Sequence, residues 1–245
     1  MNRLSDKQIE KYRKEGFLVV PDLIGSGHLD TLRIECKRLW QSVEVDESNL
    51  RIQWRMQLDG SKTADRIDPV LDISPVLLAL AQGKRIIEPV EQLLHCSNPA
   101  IFKGKLISKW SQTNGYAMHQ DYSYWRDFPE AAADCFVTAL LALDRFDTDS
   151  GTVEFFPRLH HRRIPPPSGN PNDTDENQID LSTGTLAVLE PGDVVFFHSL
   201  TPHRSGPNLS KHNRESVFLT YVTPEQGDIT KRYYSDRPAD FMGAR

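Results

Sequence analysis

Apolar residues recur at helical intervals through the first third of the chain and at short, strand-like intervals after it. Ser5 and Gln8 have the spacing of a capping box, which predicts a helix running to about Glu15 and ending at Gly16. Phe17-Leu18-Val19-Val20, stopped by Pro21, is a short strand signal. Leu29, Leu32, Cys36, Leu39 and Trp40 follow helical spacing, with Ser26 placed to cap that helix. Ser74-Pro75 opens a further helix with proline at its first position, continued by Val76 to Leu80. Beyond Gly83, the set Ile86, Ile87, Val90, Leu93 and Leu94 predicts another. Residues 42–73 are polar and irregular and read as a loop, either solvated or serving as a pocket wall or lid.

From residue 100 the texture becomes β. Strands are predicted at Ile101 to Trp110, Cys135 to Leu143, Gly151 to Pro157, Thr185 to Leu189, Asp193 to Phe197 and Val217 to Val222. Glu190-Pro191-Gly192 is a turn signal, and residues 164–180, rich in Pro, Asn and Asp, form a surface excursion. Helices first and short strands after predict a mainly β fold, a barrel or double sheet with flanking helices. One domain is expected over residues 1–245. Its mostly helical part and substrate-side loop would cover 1–98, its β core 99–225 and a tail 226–245.

Composition narrows the class. A net charge of −5 and the absence of any long basic run argue against nucleic acid. No stretch approaches 18 apolar residues, so no membrane span is expected, and the N-terminus lacks an apolar signal core. Cys36, Cys96 and Cys135 are odd in number, scattered and without Cys-x-x-Cys spacing, which fits a reducing cytoplasm. Nothing in the pattern fixes an oligomeric state.

The chemistry concentrates in His119-Gln120-Asp121 and in Pro202-His203-Arg204-Ser205, 82 residues downstream. Two imidazoles and one carboxylate are the ligand types of a facial triad that holds a non-haem metal and leaves positions open. In a strand, positions two apart share a face, so His119 and Asp121 are expected to aim at one point while Gln120 points away. His203 follows a buried run ending at His198, which delivers it from a second strand. Arg214, eleven residues later, supplies a fixed positive charge. The other histidines are weaker candidates: His198 has the opposite parity, and His160 and His161 close a strand in a charged stretch.

With those residues in view, the chain resembles the phytanoyl-CoA dioxygenase family of Fe(II)/2-oxoglutarate-dependent oxygenases. The likeness runs from Leu4-Ser5 through Pro21, then Met118 to Asp121, Ser150 to Glu154, Pro191 to His198 and Pro202 to Asn208, and ends at Arg214. It implies a double-stranded β-helix, or jelly-roll, of cupin-like form with N-terminal helices packed on one sheet. It implies His119, Asp121 and His203 as iron ligands, and 2-oxoglutarate and O2 as co-substrates. Arg214, helped by Ser205, would pair with the distal carboxylate of 2-oxoglutarate, and Lys105 would contact the same molecule. Charge supports that transfer: Asp121 and the proximal carboxylate cancel the iron, so the buried distal carboxylate needs a cation, and a guanidinium matches its geometry. The implied reaction is hydroxylation of an unactivated C–H, with release of succinate and CO2. Related halogenases lack the carboxylate that Asp121 supplies; desaturation, epoxidation and ring closure also occur among relatives. The chain departs from the family at Pro157-Arg158-Leu159-His160 and near Val137, where some members carry a Trp.

The substrate is expected to be a small molecule: a small acid, a phosphonate or a natural-product intermediate. Arg51, Trp54, Arg55, Arg66, Lys103 and Lys109 are placed to meet an anion, with Lys109 also open to a solvated position. Tyr122, Tyr124 and Trp125 are candidates for the pocket wall or for ordinary core aromatics. Two other classes remain open at this point: a jelly-roll metal-binding or sensor protein without turnover, and a cupin-type hydrolase or isomerase, in which Arg214 would be dispensable.

Overall fold

Capping sets the first elements. In the computed structural model, which describes residues 3–125, 130–167, 169–226 and 229–235, Ser5 and Gln8 close a reciprocal capping box on α1 (Asp6–Glu15). Gly16 then turns the chain left-handed (φ 84°) into β1 (Phe17–Val20). The second helix, α2 (Ser26–Ser42), begins one residue earlier than its sequence signal: Gly25 is the N-cap, and Ser26 is already helical. After β2 (Ile52–Met56) and β3 (Lys62–Ile67), Ser74 Oγ accepts from Leu77 N at 3.1 Å and opens α3 (Pro75–Ala81), followed by α4 (Lys84–Leu94).

The segment 42–73 corrects the sequence expectation. It contains a hairpin rather than only loop: β2 and β3 pair antiparallel, and β3 pairs with β4 (Ala100–Lys109) through Arg66↔Ile107 and Ile67↔Leu106. Its residues alternate poorly because β3 bulges. Gln53 pairs with Arg66 and Trp54 with Ala64, leaving Asp65 as the extra residue.

The remaining strands are β5 (Tyr116–His119), β6 (Phe136–Ala142), β7 (Val153–Phe155), β8 (Thr185–Leu186), β9 (Val194–His198), β10 (His203–Ser205) and β11 (Arg214–Val222). They form a seven-stranded antiparallel sheet in the order β1-β9-β6-β11-β4-β3-β2 and a four-stranded one in the order β5-β10-β7-β8. This is the expected jelly-roll.

Strand parity divides the side chains between two cores. Val137, Ala139 and Leu141 of β6 pack with Val194 and Phe196 of β9, Val217 and Leu219 of β11, and the buried faces of the helices. The alternate residues Leu140, Val195, Phe197 and Phe218 face the other way, onto Val153 and Phe155 of the small sheet. Each large apolar side chain buried there stabilises the fold by about 1.5–3 kcal/mol. Val137 thus belongs to the helix-side core and not to the cavity between the sheets.

A short helix, α5 (Ile229–Ser235), closes one end. Lys103 Nζ donates to Tyr233 Oη at 3.0 Å, and Tyr234 Oη donates to Asp68 Oδ1 at 2.7 Å. The tail after residue 235 lies outside the described residues. No described helix is long and apolar enough to cross a membrane.

Candidate metal centre and co-substrate cavity

His119 ends β5 and His203 begins β10, and in the antiparallel pairing of these strands they are direct partners. Directly opposed residues bring their side chains together on one face, and the two rings lie 4.2 Å apart. Asp121 reaches the same point differently from the sequence expectation. The strand stops at His119, and a 3-10 helix over Asp121–Trp125 turns the carboxylate back, so an unbroken strand face is not what joins the pair. Gln120 does point away: its amide donates to Arg162 O (2.9 Å) and Leu200 O (2.7 Å) and accepts from Ile164 N (2.7 Å), fixing the turn. Ligand atoms of His119, Asp121 and His203 all lie within 4.8 Å of one another.

The imidazoles are set as ligands. His119 Nδ1 faces Ala117 O at 2.8 Å and His203 Nδ1 faces Thr201 O at 2.9 Å. A carbonyl only accepts, so each Nδ1 carries the proton and each Nε2 keeps its lone pair for a metal. Burial holds both rings below their usual pKa, His119 strongly so, which keeps them neutral. Burial alone would raise Asp121, but nearby positive charge, Lys105 foremost, outweighs it and leaves the carboxyl at about 2. A neutral, oriented pair of Nε2 atoms and one carboxylate fit a divalent iron.

Arg214 opens β11 and is 3% exposed. Its Nε and one terminal nitrogen each donate to a backbone carbonyl at 3.1 Å, those of Ser150 and Gly151, and its guanidinium lies 3.9 Å from the centre of the Phe146 ring. Among the described residues no carboxylate lies within ion-pair distance of it. Burial lowers it to about 10, so it remains a cation at neutral pH. Ser205 lines the same cavity, its Oγ accepting from Lys109 Nζ (2.9 Å) and Tyr116 N (3.2 Å) while keeping its own proton to donate. Lys105 lines the same cavity; burial lowers it to about 7 although Asp121 pulls the other way.

The cavity brings together most, but not all, of the residues singled out in the sequence. Trp54, Arg55, Arg66, Lys103, Tyr124 and Trp125 line it. Arg51 does not: it forms a paired contact with Asp72 (2.7 and 2.8 Å) and donates to Pro69 O. Tyr122 is 1% exposed and packs in the core with Phe136 and Trp125, behind the wall. Lys109 is not solvated; at 1% exposure its Nζ is held by Ser205 Oγ and the carbonyls of Gly151 and Gly206, and burial beside Arg214 and Arg55 lowers it to about 6. His198 bonds Asp134 at 3.0 Å, and the His160 ring lies tilted 4.1 Å from that of His161, all apart from the triad.

Sequence reading missed Gln53, Tyr116, Arg204, Phe218 and Tyr233, which also line the cavity. The parity of Phe218 with Arg214 on one strand was a usable signal. Gln53 and Tyr233 carried none, because the bulge and the C-terminal helix that position them have no local pattern.

The chain is similar to known proteins over most of its length. The profile of the phytanoyl-CoA dioxygenase family matches residues 12–216. The methylphosphonate hydroxylase of Gimesia maris is 26% identical over 244 residues, covering 97% of this chain and 88% of its own. The 2-aminoethylphosphonate dioxygenase of an uncultured bacterium is 21% identical, covering 98% and 90%. Among solved structures, the epimerase SnoN in complex with Fe3+, alpha ketoglutarate and nogalamycin RO shares the fold, with a TM-score of 0.74, 23% identity and coverage of 89% and 83%.

Proposed function

The chain belongs to the phytanoyl-CoA dioxygenase family and is an Fe(II)- and 2-oxoglutarate-dependent dioxygenase; from that premise we propose the roles of its residues and the kind of substrate it oxidises. His119, Asp121 and His203 hold the iron. Arg214 pairs with the distal carboxylate of 2-oxoglutarate, and Ser205 donates its hydroxyl to the same group. Lys105, which feels the charge of Asp121, meets the co-substrate near the iron. Bound there, iron with 2-oxoglutarate and O2 supplies the oxidising power for attack on a C–H bond, with succinate and CO2 released. The protein's own part is to orient and to shield. Phe155 and Phe197 pack 5.6 and 5.0 Å from the His203 ring and keep water from that side of the triad.

The single observation that carries these assignments is Arg214, a buried guanidinium with two donors anchored and no carboxylate partner among the described residues. A buried cation is held at such a position when a ligand supplies the opposite charge.

The substrate is a small anion, with a phosphonate favoured over other small acids and natural-product intermediates. The cavity lining supports this: Arg55, Lys103 and Arg204 are paired with carboxylates, but Arg66, Lys105 and Arg214 have none within ion-pair distance among the described residues. The names of the two phosphonate-oxidising relatives point the same way. The chain works as one domain, and its three free cysteines suit a reducing cytoplasm.

The test is succinate formation from 2-oxoglutarate with Fe(II) and ascorbate, with and without methylphosphonate and 2-aminoethylphosphonate. Turnover that rises with a phosphonate supports the proposal. Metal binding without 2-oxoglutarate affinity or succinate would instead indicate a sensor.

A further inference from the structure

Gln53 Nε2, Trp54 Nε1, Arg66 Nε and Trp125 Nε1 are buried and have no hydrogen-bond partner among the described residues. All four residues line the cavity. Each of these atoms is a donor, so what is missing is an acceptor, and a buried donor left unmade carries its full desolvation penalty. Three of the four come from the β2–β3 hairpin. Gln53 and Arg66 are direct cross-strand partners, Arg66 pairs with Ile107 of β4, and Ile107 pairs with Ser216 of β11. Arg66 therefore sits two strands away from the one that carries Arg214, roughly 10 Å in strand spacing. The two arginines are thus carried at separate places on the sheet.

Charge says what kind of group is missing. Arg55 is taken by Asp65 (3.3 Å), Lys103 by Asp68 (3.5 Å), and Arg204 by Glu154 (2.7 Å) and Glu176 (2.9 Å). A divalent metal, Asp121, a 2-oxoglutarate dianion and Arg214 neutralise one another. Arg66 remains a cation with no carboxylate within ion-pair distance among the described residues, held by Tyr116 and the more distant Asp65 and Asp68, and Lys105, lowered to about 7, lines the same cavity. A carboxylate brings one charge and two oxygens. A PO3 group brings up to two charges and three oxygens, closer to donors that converge from two strands.

We propose that Arg66, with Gln53 and Trp54, forms a second anion subsite that seats a tetrahedral dianion of the substrate, a phosphonate or a phosphate monoester. The inference rests on the oxygenase reading of the cavity and adds the residues that select the substrate. Lys105 lines the same cavity and lies in the fields of both Arg66 and Asp121.

Calorimetric titration of the Mn(II)-loaded protein under anaerobic conditions tests this, using methylphosphonate, methyl phosphate and acetate as probes with 2-oxoglutarate present. Wild type is expected to bind one of the two phosphorus probes at least tenfold more tightly than acetate, the tighter of the two identifying the C–P or ester form. Arg66→Gln is expected to weaken that binding at least tenfold while 2-oxoglutarate affinity changes less than threefold. Gln53→Glu, which places a carboxylate against Arg66, should do the same in a protein whose circular dichroism matches wild type, so a poorly folding Arg66 variant does not decide the matter. Equal binding of acetate, or phosphonate binding that survives both substitutions, overturns the subsite. Failure of 2-oxoglutarate itself to bind the wild type overturns the oxygenase assignments of residues instead.

Discussion

Two backbone carbonyls, Ala117 O and Thr201 O, decide how His119 and His203 present themselves. Each fixes a proton on Nδ1, so the ligand lone pairs are oriented before a metal arrives. Arg214 is prepared in the same way, with two donors spent on carbonyls and the rest of its fork left toward the cavity. Replacing it by glutamine removes the charge and should cost at least about 2 kcal/mol of 2-oxoglutarate binding, roughly a thirtyfold rise in Kd. Titration of the Mn(II) protein measures it; an unchanged Kd would place the co-substrate elsewhere. At this scale the sequence was informative where chemistry is unusual. His119, Asp121, His203 and Arg214 stand out because imidazoles, a carboxylate and a guanidinium at those intervals have few other uses. Arg51 and Tyr122 looked equally suitable, but salt bridging to Asp72 and core packing claimed them, and neither partner is visible from local sequence.

Between residue and molecule, the strands β5 and β10 bring the metal ligands together, and their approach depends on Gly115. A Cβ there would lie 1.9 Å from Ser205 O, inside the backbone of the neighbouring segment. Gly115→Ala is expected to force the two apart at a cost of about 2 kcal/mol, lowering Tm by roughly 4–8 °C. The same substitution should weaken Mn(II) binding, because His119 and His203 ride on the displaced strands; thermal unfolding and metal titration read both effects. Elements with caps or long apolar runs were legible: the capping box at Ser5, proline after Ser74, the run into His198. The hairpin over Ile52–Ile67 was not, since a bulge at Asp65 and a charged inner face erase the alternation by which strands are recognised. The break at Gln120 escaped for a similar reason. Four residues of strand followed by a 3-10 turn look like a continuous strand when only spacing is considered.

Across the whole molecule, buried imidazoles tie stability to pH. His119 and His203 are held below 6.5 by burial, and His160 is lowered by burial to about 4. Between those folded values and 6.5 the unfolded chain binds more protons than the folded one, so stability rises with pH and is lost as pH falls below 6.5. With all three groups contributing, the slope reaches at most about 4 kcal/mol per pH unit. The metal-free protein should therefore show a Tm that climbs from pH 5 to pH 7; a flat profile would mean that these rings are solvated. Lys105 and Lys109, lowered to about 7 and about 6, act in the same direction from those values upward.

Arg214 and Ser216 are almost wholly enclosed, at 3% and 1% exposure, whereas Gln53, Trp54 and Tyr124 at the other side of the cavity are partly open. A chamber closed at one side and open at the other behaves like a queue with a single door. What belongs at Arg214 has to arrive first and leaves last, and a substrate molecule that enters an empty chamber acts as a cork. Crowding with substrate would then slow the enzyme rather than saturate it, and only more 2-oxoglutarate would restore the pace.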